Sequence, residues 1–210
     1  MSSPLDLRPR YNLAPGQRAA VIRTGADGRA LSMLRWGLIP SWAKSPNIGY
    51  KTINARAETV RSKPAFRAAF RARRCAVPAD GFYEWAPRGA RKQPYLVTCS
   101  DAPLMLFAGL WERWRVPDGY ERTASIGASR AGDALETFTI LTTAANEAMA
   151  RVHHRMPVLL DTDALTPWLA GEDVELGPCP SDILTIRAVS TRVNNARNDG
   201  PECIETVVGT

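Results

Sequence analysis

The stretch from Arg73 to Trp85, RRCAVPADGFYEW, constrains the fold more than any other part of the chain. A β-compatible run, Cys75-Ala76-Val77, is stopped by Pro78, turned by Ala79-Asp80-Gly81 and resumed by Phe82-Tyr83-Glu84-Trp85, the punctuation of strand, turn and strand. The second half holds one carboxylate, Glu84, between two aromatic residues just past the turn. Such a glutamate has two readings. Either it points to water from the far face of a strand, or it sits in a partly apolar pocket where lost hydration favours the neutral acid and suits it to proton transfer.

The remainder follows the same grammar of short apolar runs cut by turn formers. Six tryptophans and sixteen prolines among such runs argue for many short strands rather than a helical bundle. Ala19 to Arg23 and Leu31 to Leu38 form a predicted hairpin about Gly25-Ala26-Asp27-Gly28, leading to Trp36 and, across a proline-interrupted loop, Trp42. Further strands are predicted at Gln93 to Ser100, Leu104 to Trp111, Thr137 to Thr143 and Leu184 to Val189. A helical stretch is predicted from Ile53 through Phe70, with Asn54 as its N-cap, and short helices over Ala144 to Arg151 and Asp161 to Leu169. Residues 115–136 are polar and unpatterned, hence a predicted surface loop. With 210 residues, 45% of them hydrophobic, one core is the expectation, and a single domain over 1–210. No apolar run reaches 18 residues, which argues against a helical membrane span, and MSSPLDLRPR lacks the apolar centre of a secretory signal, which points to the cytoplasm.

Candidate chemistry is confined to few residues. Between Lys51 and Arg74 eight basic residues (Lys51, Arg56, Arg61, Lys63, Arg67, Arg71, Arg73, Arg74) face one acid, Glu58, within a chain of net charge +6. This segment is read either as a nucleic-acid contact or as a solvated, arginine-rich helix face. Asn54 and Arg56 would offer an amide and a planar cationic fork to a sugar-phosphate. Trp42 is core or a base-stacking side chain. His153 and His154 are the only histidines, so imidazole chemistry must use one of them, and neither has the i+4 partner of a zinc helix. Cys75, Cys99, Cys179 and Cys203 are scattered without a CxxC pair, so neither a disulfide framework nor a metal or other cofactor is expected. The amide-rich tail Val193-Asn-Asn-Ala-Arg-Asn-Asp-Gly200, with Asn194 and Asn198, lines a site or makes tight turns.

Eight blocks, in order, carry a resemblance: RYNLAPG (10–16), RWGLIPSWAK (35–44), INARAET (53–59), RRCAVPADGFYEW (73–85), KQPYLV (92–97), TFTILTTAAN (137–146), HHRMPVLL (153–160) and RVNNARNDGPE (192–202). Together they resemble the SOS-response-associated peptidase (SRAP) family of abasic-site processing proteins. The resemblance implies an α+β fold, mainly an antiparallel barrel-like sheet with several short helices. It implies a positively charged cleft for single-stranded or junction DNA, a protein acting as a monomer, and association with the nucleoid when bound. Carried over by position, Asn54 would orient the reacting sugar, Arg56 would hold a phosphate, and Glu84 and His153 would manage protons as the deoxyribose opens. Trp42 falls in the loop similar to the family's DNA wedge, and Arg73, Arg74, Asn194 and Asn198 are expected on the DNA surface.

One departure matters. The family's nucleophile is a cysteine directly after the initiator methionine, whose amine and thiol close on the abasic aldehyde as a thiazolidine. Here residue 2 is serine, and the RYN block begins at residue 10. The expectation is that the segment carrying the cysteine is missing, so that this chain forms at most a reversible Schiff base through an amine, or binds DNA non-covalently. A peptidase is the remaining reading, without a Ser-His-Asp or Cys-His pattern behind it.

Overall fold

Alternating apolar and polar residues in Arg18–Gly25 and Gly28–Trp36 produce two strands, β1 and β2, joined through the two-residue loop Ala26-Asp27, with Gly28 at φ 108°. The computed structural model describes residues 7–118, 120 and 129–207. After β2 come β3 (Asn54–Arg56), α1 (Arg67–Ala72), β4 (Arg74–Ala79), β5 (Phe82–Arg88), β6 (Arg91–Cys99), β7 (Met105–Arg115) and β8 (Ala134–Ala144). The chain continues with α2 (Glu147–Ala150), β9 (Arg155–Pro157), α3 (Thr162–Ala170) and β10 (Leu184–Ala188).

Five strands close into a ring. The order β2-β1-β4-β7-β8 is antiparallel throughout, and β8 returns to β2 in parallel register, Arg35 opposite Thr137 and Trp36 opposite Phe138. One face of every ring strand contributes to a single apolar cluster: Ala19 and Val21, Leu34, Cys75 and Val77, Phe107, Phe138 and Ile140. A face shared by all five strands is the interior. A second cluster joins Ala76, Ala108, Leu110 and Leu141 from the opposite face to Phe70 of α1 and Trp168 of α3, so the helices cover the outside of the barrel. Trp168 is fully buried and its indole N–H donates to the Cys75 carbonyl at 2.8 Å. This α+β architecture, dominated by antiparallel pairing, is the fold class expected from the sequence.

The halves of RRCAVPADGFYEW do not form a hairpin. β4 pairs within the barrel, whereas β5 pairs with β6 in a separate three-stranded sheet, β10-β6-β5. Asp80-Gly81 is therefore where the chain crosses from one sheet to the other. A Cβ on Gly81 would lie 2.8 Å from the Val97 carbonyl oxygen and 2.9 Å from a Leu96 methyl, so the crossing needs glycine.

Two local expectations are corrected. Residues 54–56 are a strand, parallel to Ile140–Thr142 of β8, and not the start of a helix; helix begins only at Arg67. Asn54 caps nothing there, because pairing with a central strand outweighs the weak helical preference of a short segment. The predicted loop 115–136 is shorter than expected at both ends, since β7 runs to Arg115, Val116 is buried and β8 begins at Ala134; residue 119 and residues 121–128 lie outside the described residues. Among the described residues no helix is long and apolar enough to cross a membrane.

Candidate functional site

The barrel interior opens into a cavity of about 910 Å³ that the three-stranded sheet roofs. Its depth is apolar: Val77, Phe107, Phe138 and Ile140 from the barrel, and Trp36, which stacks on Phe138 with centroids 6.3 Å apart and donates its indole N–H to the Ile53 carbonyl. Its polar groups converge from distant parts of the sequence. The period of two in β3 buries Ala55 and turns Asn54 and Arg56 to the cavity side. From β5 comes Glu84, and from the loop before β9 comes His153.

Glu84 and His153 form the titratable centre of this cavity. His153 Nδ1 lies 3.7 Å from Glu84 Oε1. The same nitrogen is 3.1 Å from both the N–H and the carbonyl of Arg155, so it accepts the Arg155 N–H when unprotonated and faces two oxygens when protonated. Burial pushes the Glu84 pKa above the ordinary glutamate value, against the opposing pull of His153, the Trp85 N–H and Lys92. The pocket reading of Glu84 is thus the one the geometry supports. Glu84 and His153 also border a second groove of about 690 Å³, with Trp85, Arg91, Lys92, Thr191 and Asn194. The Trp85 indole N–H donates to Asn194 Oδ1 at 2.7 Å between the two spaces, so the acid-base pair is reached from both sides.

The N-terminal wall is held by the tail. Asp199 Oδ1 accepts from the backbone N–H groups of Tyr11 and Asn12, both at 2.8 Å, and its other oxygen pairs with Arg10. Burial would raise the Asp199 pKa, but the Asn12 N–H, Arg10 and the Tyr11 N–H together bring it below the ordinary aspartate value. The buried Asn12 amide donates to the carbonyls of Val193, Asn195 and Asn198, and the Tyr83 hydroxyl donates to the Tyr11 carbonyl at 2.6 Å. The RYN and NNARND blocks, almost the whole chain apart, form one unit.

Of the residues singled out from sequence, Asn54, Arg56, Glu84, His153 and Asn194 share the cavity. Trp42 does not line it but is 60% exposed on the loop between β2 and β3. One expectation is corrected. Arg74 is buried at 8% exposure: its guanidinium packs over Phe70 and Trp168 and donates to the carbonyls of Phe70 and Glu172, because it faces the helix-covered outside of the barrel. Arg73 is paired with buried Glu112 at 2.7 Å, outside the cavity lining. Asn198 closes a turn, donating to the Arg192 carbonyl while its own carbonyl receives Asn12. The basic segment therefore disperses over the molecule, and only Arg56 of its eight cations lines the cavity.

Sequence reasoning missed Arg155, whose guanidinium enters the cavity wall and grips Glu58 with two bonds of 2.6 and 2.9 Å. It also missed Asp199, a turn residue by pattern. Cys75 is fully buried and its thiol pKa is driven far up by burial; Cys179 is pushed up to about 11 and Cys203 is also raised, all primarily by burial. These thiols are poor nucleophiles. Met1 and Ser2 lie outside the described residues, as does any attacking amine there. Among the described residues no cluster of His, Cys, Asp and Glu is arranged for a metal.

Known proteins share this arrangement of sequence and fold. The chain is 39% identical over 209 residues to "Abasic site processing protein YoqW" of Bacillus subtilis (strain 168), covering 96% of this chain and 88% of that protein. It is 33% identical over 236 residues to "Abasic site processing protein HMCES" of Xenopus tropicalis, covering 96% and 67%. A crystal structure of a protein from Bacteroides thetaiotaomicron superposes with a TM-score of 0.77 at 28% identity, covering 91% of this chain and 82% of that one. A family model described as SOS response associated peptidase (SRAP) matches residues 2–196. With that match over nearly its whole length, the chain belongs to the SRAP family.

Proposed function

We propose that this chain recognises an abasic site in single-stranded or junction DNA and moves protons at the open-chain sugar aldehyde. The carrying observation is the Glu84–His153 pair, 3.7 Å apart at a cavity that Asn54 and Arg56 also line. A half-buried carboxyl group whose pKa burial raises, beside an imidazole, is suited to protonating the ring oxygen as the sugar opens and to taking the proton back. Arg56 supplies charge for a flanking phosphate, and Asn54 hydrogen-bonds the sugar. Relatives named for abasic-site processing support this substrate.

Chemistry at the aldehyde needs an amine: its nitrogen adds to C1, the carbinol oxygen leaves as water, and an imine remains. Where no thiol stands beside that amine, no thiazolidine closes and the product is a reversible imine. An oligonucleotide bearing one abasic site, incubated with the protein and borohydride, should yield a trapped adduct on a denaturing gel, and none without reductant. A heat-stable adduct without borohydride would identify another nucleophile. Binding with no adduct in either lane would favour the second reading, a non-covalent lesion-binding module. Neither binding nor adduct would defeat the proposal. Affinity should fall with salt with a log-log slope of about −0.7 per neutralised phosphate.

A further inference from the structure

An aldehyde takes an amine, and the chain holds four lysines, Lys44, Lys51, Lys63 and Lys92. Lys44, Lys51 and Lys63 line neither of the two spaces that meet at the acid-base pair. Lys92 does: it shares the groove of about 690 Å³ with Glu84 and His153. Strand pairing brings it there. In the β5–β6 hairpin Lys92 stands opposite Pro87 and Glu84 opposite Tyr95, so the lysine backbone is about 10 Å from the level of the carboxylate along the sheet, a gap that its long flexible stem shortens. The two charges feel each other, since Lys92 is one of the groups that pull the Glu84 pKa down against burial.

The Lys92 ammonium is not tied down: among the described residues it enters no ion pair and no side-chain hydrogen bond. Arg91, beside it in the groove, carries a guanidinium that stays protonated and cannot add to a carbonyl. None of the four cysteines lines the groove or the cavity, so an imine formed here has no neighbouring thiol to close on it. Glu84 and His153 border both spaces. An amine entering from the groove therefore meets a sugar held on the cavity side, with the proton-transfer groups at the place where the two come together.

We propose that Lys92 is the amine that adds to the aldehyde of the opened abasic sugar. This rests on the reading of the cavity as an abasic-site pocket. Glu84 takes one proton from the Lys92 ammonium, Nζ bonds to C1, and a proton passes from nitrogen to the former carbonyl oxygen. The proton held by Glu84 then goes to that oxygen, which leaves as water; a protonated imine remains and Glu84 is a carboxylate again. The test traps the imine with borohydride on a single-stranded oligonucleotide bearing one abasic site and maps the adduct by tryptic digestion and mass spectrometry. The adduct falls on Lys92, and trypsin no longer cuts after it. Lys92→Arg keeps the charge and loses the adduct, yet binds an oligonucleotide with a tetrahydrofuran abasic analogue, which has no aldehyde, as tightly as wild type. Lys92→Cys also loses the adduct and regains it after aminoethylation with 2-bromoethylamine, a treatment that restores nothing in Lys92→Arg. An adduct on the N-terminal amine or on another lysine, or an undiminished adduct in Lys92→Arg, overturns the role of Lys92 and leaves the abasic-site reading intact. Binding of the analogue by wild type with no adduct at the aldehyde does the same. No binding of the analogue overturns both.

Discussion

Replacing Asp199 by alanine tests whether the tail holds the N-terminal wall of the cavity. The substitution removes the acceptor of two backbone N–H bonds of 2.8 Å, from Tyr11 and Asn12, together with the Arg10 pair. Hydrogen bonds to a charged group contribute about 1.5–3 kcal/mol each, and the partial exposure of this carboxylate argues for the lower figure, so the two N–H bonds amount to about 3 kcal/mol. The Arg10 pair, more than a third exposed, adds little. Because the wall can open without the barrel unfolding, the loss should appear first as local opening. Amide exchange at Tyr11 and Asn12 should accelerate about a hundredfold, since each 1.4 kcal/mol is a factor of ten. Asp199→Asn keeps a neutral acceptor and should fall between. The sign with pH follows from the lowered Asp199 pKa: the clamp is complete above the ordinary aspartate pKa of about 3.9 and is lost as pH falls through the folded value. Hydrogen exchange read by mass spectrometry on the 7–16 peptide decides it. Unchanged protection in Asp199→Ala at neutral pH would refute the reasoning, leaving the Asn12 amide as sufficient anchor.

Glu84→Gln should slow imine formation about 10²–10⁴-fold with unchanged affinity for undamaged single strands, measured by borohydride trapping; equal loss of both would make Glu84 structural. Because the folded Glu84 pKa is raised, its contribution to stability is full below the ordinary glutamate range and is lost as pH rises through the folded value. Glu84→Gln should therefore melt above wild type at pH 7 and level with it near pH 4; a lower melting point at pH 7 counts against a desolvated carboxylate. Arg74→Ala removes two carbonyl bonds and its packing on Phe70 and Trp168, and should cost about 2–4 kcal/mol in urea unfolding while the folded protein binds DNA as before. Weakened DNA binding at full stability would restore Arg74 to the DNA surface. Gly81→Ala should destabilise by about 1–3 kcal/mol by overpacking the crossing between sheets, and a wild-type melt would show that the Val97 backbone yields.

Much of this protein is local and so was written in the chain. The β1–β2 hairpin, the strands at β6, β7, β8 and β10, the turn at Asp80-Gly81 and the buried Cys75 follow from alternation, turn chemistry and apolar runs, which neighbours in sequence decide. The ordered blocks of the SRAP resemblance named the cavity residues Asn54, Arg56, Glu84 and His153 before any of them had a position. Whether Glu84 was a surface or a pocket residue was not decidable from GFYEW, because a strand shows the same alternation whichever sheet it joins. Only the crossing of β5 into the second sheet roofed the barrel mouth, withdrew that carboxylate partly from water and set it 3.7 Å from His153. Tertiary structure likewise divided the basic segment, turning Arg56 to the cavity and Arg74 into the core, since adjacent residues on different elements face different layers. The strand at Asn54–Arg56 and the Asp199 clamp on Tyr11 and Asn12 also belong to the folded state: their partners are about 85 and 187 residues away, and no local pattern carries a contact of that range.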